Sequence, residues 1–338
     1  MTYYYFLSIL LLIFLLFSIY FENLKNKINI FDIPEPRKIH KIKIACIGGF
    51  FVIFSVVFLI LFYKNLIFDA KNLFLNRGNF LSFYVFSFFI FLVGILDDKV
   101  NLSPIRKTVL LNLILLFVIT ADKTLIIKNI NFSFFNLNFI LPDYFAILFT
   151  LISIFIFLNA FNMFDGINLQ SGIYALVFFI FLTLKSGYLE IFLPIILSLI
   201  FFLILNIKNQ TFLGNNGSYL LGYLISWFSI KLHNFQVIKY SDYIVLLMLI
   251  PILDLFRLTI YRLTNNNNPM SPDNNHLHHL LLRRFKFRNT ILILSVLIIM
   301  PLILENYFPK LYLIIFVSLF YFFLISYLQK NTNQLISK

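Results

Sequence analysis

Residues 159–172 read NAFNMFDGINLQSG, three asparagines, an aspartate and a glutamine in one short stretch. The apolar run YFAILFTLISIFIFL (144–158) leads into it and IYALVFFIFLTL (173–184) leads out. Neither run alternates polar with apolar residues, so neither reads as a half-buried strand, and each is long enough for a helix. Carboxamides and a carboxylate set between two such segments are costly unless they serve a polar site at or inside a membrane.

The rest of the chain has the same character. Of its 338 residues 61% are hydrophobic and 12% charged, against roughly 25% charged in soluble domains. Apolar runs recur near 2–20, 44–63, 80–96, 106–121, 144–160, 168–185, 188–206, 217–232, 242–260, 290–305 and 310–328. Each is of a length to cross a hydrocarbon core of about 30 Å as a helix. The expected fold is therefore all-α: a polytopic transmembrane bundle of about eleven spans, forming a single integral-membrane domain over residues 1–338. The first run has no basic flank and no small-residue cleavage site, so it is expected to stay as a permanent helix. Cys46 is the only cysteine, which excludes an intramolecular disulfide.

Lysine and arginine set the orientation. Segments 21–43, 97–107, 207–216, 261–289 and the C-terminal tail hold 17 of the 27 basic residues, and the alternate loops hold 9. The first set is thus expected in the cytoplasm, with the N-terminus outside and the C-terminus inside. The net charge of +13 follows from this bias and from contact with anionic lipid headgroups. A nucleic-acid partner would need a soluble basic module, and none is legible.

Polar residues gather in five clusters, all on the expected cytoplasmic side. DIPEPRKIHKIKIACIGG (32–49) joins a basic loop containing Arg37 and Lys38 to a glycine pair. GILDDKVNLSPIRK (94–107) places Asp97 beside Asp98, whose joint ionisation calls for a nearby cation such as Lys107 or a metal. In the opening stretch Asn159, Asn162 and Asp165 fall on one helical face, with Asn168 just beyond; they offer hard oxygen ligands and amides able to pair with a base edge. FLGNNGSYLLG (212–222) is a glycine–asparagine turn opening onto a helix, with Ser218 as the expected N-cap and free N–H groups for phosphate. NPMSPDNNHLHHLLLRRF (268–285) brings His276, His278, His279, Arg283 and Arg284 together; without cysteines or an H-E-x-x-H pattern, it reads as a phosphate binder rather than a zinc site. Each cluster alone also has a plain structural reading, as a loop, a tight turn or an interhelical hydrogen-bond seam.

Together these motifs resemble the polyprenyl-phosphate N-acetylhexosamine-1-phosphate transferases, the bacterial glycosyltransferase 4 family. DIPEPRKIH followed by GG, GILDDKVNL, NAFNMFDGIN and PILDLFR…NPMSPDNNHLHH stand in family order from Asp32 to about Phe285. The resemblance implies a ten- or eleven-helix bundle in the bacterial inner membrane. It implies magnesium-dependent transfer, with manganese as an alternative, of a sugar 1-phosphate from a UDP-sugar to undecaprenyl phosphate. UMP would be released and a cell-envelope polysaccharide begun.

By the same resemblance Asp97 and Asp98 are catalytic at the lipid phosphate, Asn162 and Asn215 face the metal, and Asn168 meets uracil. Asn159, Asp165, Arg37, Lys38, Lys107, His276, His278, His279 and Arg283 serve nucleotide and substrate binding. Two departures stand out: GNNGS puts Asn215 where the family has a metal-ligating aspartate, and NLQSG follows Ile167 where the family has L-A-x-G. Asn216 beside it is expected to matter less. Partners are expected to be the UDP-sugar, the polyprenyl phosphate and membrane lipids, with a homodimer left open. The rival readings are a phospho-MurNAc-pentapeptide transferase of peptidoglycan synthesis and a silent relative that only binds carrier lipid.

Overall fold

The computed structural model describes residues 2–34, 41–61, 73–269, 271 and 273–336. Arg37 and Lys38 lie outside the described residues. Thirteen helices follow one another among the described residues: α1 (Thr2–Ile19), α2 (Phe21–Ile28), α3 (Gly48–Leu61), α4 (Arg77–Val100), α5 (Pro104–Ala121), α6 (Asp143–Phe164) and α7 (Gln170–Ser186) come first. Then come α8 (Leu189–Ile207), α9 (Gly214–Asn234), α10 (Ser241–Thr264), the short α11 (Leu277–Arg284), α12 (Phe287–Leu304) and α13 (Lys310–Ile336). Each of the eleven apolar runs contributes a helix among the described residues, because a backbone in lipid must satisfy its polar groups internally.

Length and composition alone do not confirm eleven spans. Among the described residues seven helices are long and apolar enough to cross a membrane, or eight if the pair α1–α2, bent by 77°, is one broken span. Over their described residues helix α3 and helix α7 are apolar but fall short of that length. Helix α9 is long but carries asparagine, lysine and histidine, and every residue from Asn216 to His233 is buried. It packs on α3, α4, α6 and α7 and forms the centre of the bundle. A helix without a lipid-facing side is under no pressure to be apolar all round, so hydropathy alone misjudges it.

Close approach to α9 depends on glycine. A Cβ at Gly94 of α4 would lie 2.3 Å from Asn216 Cα, and one at Gly49 of α3 would lie 2.5 Å from the Gly217 nitrogen. Small residues at such crossings let membrane helices approach backbone to backbone.

Turns at one end of the bundle gather the polar motifs. Asn101 caps α4 in the left-handed region (φ 50°) and Ser103 caps α5 ahead of Pro104, so the chain reverses just after the aspartate pair. Strand β1 (Phe31–Asp32) pairs antiparallel with β2 (Ile44–Ala45), and the chain then runs beside residues 211–213. The N–H groups of Gly48 and Gly49 donate to Phe212 and Leu213 at 3.0 and 3.2 Å. At the opposite end, β3 (Asn129–Asn131) and β4 (Asn138–Ile140) make a hairpin against the last turn of α9.

Candidate active site

Four of the five clusters, together with Asp32 and Lys41 of the first, line one cavity of about 1100 Å³. Its wall includes Asp98, Asn162, Asp165, Asn168, Asn215, His276, His278 and His279. The expected gathering of these residues is therefore realised. Asn159, Asp97, Lys107 and Arg283 are not among the lining residues.

The aspartate pair is split by helix geometry, since successive residues point about 100° apart on a helix. Asp98 faces the cavity and caps α9: its Oδ1 accepts the Asn215 N–H at 2.8 Å, and its Oδ2 accepts the Asn216 N–H at 3.0 Å and the Asn216 side-chain amide at 2.6 Å. A carboxylate against the first turn of a helix is favoured by the macrodipole and by unpaired N–H groups. This corrects the expectation at FLGNNGS. The helix begins at Gly214, Ser218 lies inside it, and the first N–H groups are held by Asp98 rather than left free for phosphate.

Asp97 instead turns inward. It accepts from the Leu102 N–H (3.0 Å), the Tyr219 hydroxyl (3.0 Å) and Lys107 Nζ (3.3 Å), tying α4 to α5 and α9. Lys107 thus serves Asp97 alone as a cation, from behind the cavity wall and not on the face where the resemblance would have it meet substrate.

Around the metal candidates the contacts are amide to amide. Asn162 Nδ2 donates to Asn215 Oδ1 at 2.8 Å and to Ser218 Oγ at 2.7 Å. Asn216 is the more deeply buried neighbour, donating to the Cys46 carbonyl at 2.8 Å as well as to Asp98, so it is not the lesser residue of the two. Asn159 spends its amide on the Phe155 carbonyl one turn back, off the cavity face.

Asp165, just past α6, accepts from the Ser171 hydroxyl. Burial pushes its carboxyl up to about 7; the Ser171 bond works against the rise and nearby Asp98 adds to it. Asn168 donates to the Asn206 carbonyl (3.1 Å) and to Asn209 Oδ1. Leu169 follows in the left-handed region at φ 70°, a strained state for a branched side chain. Its N–H is held by Asn206 Oδ1 at 2.7 Å. Asn206 and Asn209 both line the cavity and escaped the sequence reading; their signal is the polar NIKNQ that ends an apolar run.

The histidines depart from expectation in charge. Burial holds His278 well below the ordinary imidazole range, with His276 and His279 adding to the effect. Burial, then His276, lowers His279 to about 4. At neutral pH both rings are uncharged, so they act as hydrogen-bonding groups, not as cations. Both nitrogens of His278 are buried without a hydrogen-bond partner among the described residues. A Cβ at Gly166 would sit 2.0 Å from His278 Nε2, so glycine after Asp165 is what admits the ring. Arg283 donates to the Asn274 carbonyl at 2.9 Å, bracing the loop from outside the cavity.

The sequence profile of glycosyl transferase family 4 matches residues 80–233, which carry the aspartate pair, the central stretch and the start of α9. The undecaprenyl-phosphate alpha-N-acetylglucosaminyl 1-phosphate transferase of Thermotoga maritima is 30% identical over 271 residues, covering 80% of this chain and 78% of that one. The proteins of that name from Yersinia pestis and Escherichia coli are 27% and 26% identical over 269 and 281 residues. They cover 76% and 79% of this chain, and 70% and 73% of their own lengths are matched. With its polar motifs joined in one cavity and a relative matched over most of both chains, the protein belongs to glycosyl transferase family 4.

Proposed function

We propose that this protein transfers a sugar 1-phosphate of the N-acetylhexosamine type from a UDP-sugar to undecaprenyl phosphate, releasing UMP, at the cytoplasmic face of the bacterial inner membrane. The observation that carries this reading is the convergence of carboxylates, carboxamides and imidazoles from separate motifs on one cavity at one end of a membrane bundle. The names of its relatives supply the substrate class.

In this reaction an oxygen of the lipid phosphate attacks the phosphorus that carries the sugar. The bond from that phosphorus to the bridging oxygen breaks, and UMP leaves with the electron pair. A phosphate monoester loses its second proton near pH 6, so near neutrality the acceptor is largely dianionic. The protein's work is then positioning and charge compensation more than proton abstraction. Asp98 fixes the start of α9 and with it the amides of Asn215 and Asn216; Asn168, Asn206 and Asn209 form a carboxamide wall suited to a base edge.

Magnesium, or manganese, belongs to the proposal. Asp98, Asn162 and Asn215 offer hard oxygen atoms of the kind magnesium takes. Among the described residues no group of three or more His, Cys, Asp or Glu is placed to hold a metal. The donor set therefore fits a cation that arrives with phosphate ligands of its own. When bound, such an ion supplies neutralisation of the diphosphate charge.

The test is UMP release from purified protein given undecaprenyl phosphate, magnesium and a panel of UDP-sugars. Release with a UDP-N-acetylhexosamine is expected. Turnover only with UDP-MurNAc-pentapeptide would make it a peptidoglycan enzyme, and none with any donor would make it a silent lipid-binding relative.

A further inference from the structure

Helix α10 presents Asp254, Arg257 and Arg262 along one face, and all three reach the histidine loop. Arg262 donates to Asp273 Oδ2 and to the Pro269 carbonyl, both at 2.7 Å. Arg257 donates to the Asn275 carbonyl at 2.6 Å and to Asp254 Oδ1 at 2.8 Å. Asp254 itself is buried, and its two oxygens have different work. Oδ1 accepts from Arg257, from the Leu277 N–H at 3.2 Å and from the Tyr321 hydroxyl of α13 at 2.6 Å. Oδ2 accepts from His276 Nδ1 at 2.9 Å. The opposite ring nitrogen, Nε2, has no protein partner among the described residues, and the ring lines the cavity.

An ionised carboxylate can only accept, so the contact with Oδ2 requires the His276 proton on Nδ1. Nε2 is thereby the nitrogen presented to the cavity, in a fixed ring orientation, and its tautomer is set from behind. We propose that Asp254 is a positioning residue for His276, and that α13 takes part in the site through Tyr321, which holds Asp254 in register. The proposal rests on the transferase reading for what His276 meets, a phosphate or sugar oxygen of the donor, but not for the hydrogen-bond order itself.

The asymmetry of Asp254 makes a sharp variant available. In Asp254→Asn the three donors at Oδ1 hold the amide oxygen in that place, which turns the new NH₂ toward His276. Nδ1 must then accept, and the proton moves to Nε2. Nitrogen-15 histidine spectra of the full-length protein in detergent, with His276→Gln to assign the signal, read this directly. The wild type is expected to carry its His276 proton on Nδ1, and Asp254→Asn to move it to Nε2. Turnover should fall by about 10- to 100-fold, mainly in kcat, with the thermal unfolding midpoint little changed. Tyr321→Phe should keep the tautomer and lose several-fold in kcat.

A wild-type spectrum with Nδ1 unprotonated overturns the proposal whether or not any variant folds. So does an unchanged kcat in a folded Asp254→Asn whose tautomer has switched. If the tautomer switches but the wild type itself transfers no sugar phosphate, the transferase reading fails while the hydrogen-bond order stands.

Discussion

Asp98 Oδ1 accepts the backbone N–H of Asn215 at 2.8 Å, joining the end of α4 to the beginning of α9 across 117 positions of sequence. The contact makes one carboxylate both a wall of the cavity and the cap of the central helix. Asp97, its neighbour in sequence, shares neither role. Replacing the two should therefore give different phenotypes.

Asp98→Asn puts an NH₂ group among three N–H donors. Turnover is expected to fall by about a hundredfold or more, with loss of thermal stability in detergent. Asp97→Asn keeps an acceptor for Tyr219 or Leu102 and loses the ion pair with Lys107, so stability should drop with a smaller loss of turnover. Equal losses of turnover in both, with unchanged unfolding midpoints, would return the pair to a joint catalytic role.

Asn215 supplies an amide oxygen where a carboxylate would carry charge. Asn215→Asp keeps the acceptor for Asn162 Nδ2 and adds a negative charge beside the cavity. The magnesium concentration for half-maximal UMP release should fall in this variant and rise, or activity vanish, in Asn215→Ala. Asn216→Ala is not a neutral control, because its amide holds both Asp98 and the Cys46 carbonyl. A magnesium curve for Asn215→Ala that overlays the wild type would remove residue 215 from the cation site.

At the far end of α9, Lys231 Nζ lies 2.6 Å from Asp122 Oδ2 with both side chains essentially unexposed. Asn79 and Thr124 also bind Asp122. Lys231→Met leaves a buried carboxylate without its cation and should cost about 3–5 kcal/mol. Adding Asp122→Asn to that variant should recover most of the loss. Unfolding midpoints in one detergent check this, and a double variant as unstable as the single one would refute it.

His279 gives an acid limb. Its folded pKa of about 4 lies below the ordinary value near 6.5, so between these the unfolded chain binds more protons. Stability should hold above about pH 6.5 and fall as the pH drops toward 4, with His278 acting in the same sense. His279→Gln should flatten part of that decline. An acid limb identical to the wild type would show that His279 is not buried in this way.

Sequence alone determined a great deal, because lipid leaves few choices. Apolar runs without strand alternation had to form helices, and each of the eleven holds one among the described residues. The polar stretches between them had to have a purpose, and Asp98, Asn162, Asp165, Asn168, Asn215 and the three histidines do meet in one cavity. Side-chain direction was decided only by tertiary structure. Asp97 and Asp98 are adjacent letters, yet a rotation of about 100° sends one to Lys107 and the other to the cavity. Burial, too, is a property of the packed bundle: it shields the asparagine, lysine and histidine of α9 on every side, and it holds His278 and His279 uncharged at neutral pH. Asp254 looked like part of an apolar run with a family signature. Only the meeting of α10, α11 and α13 shows it accepting four donors, one of them the histidine whose proton it places.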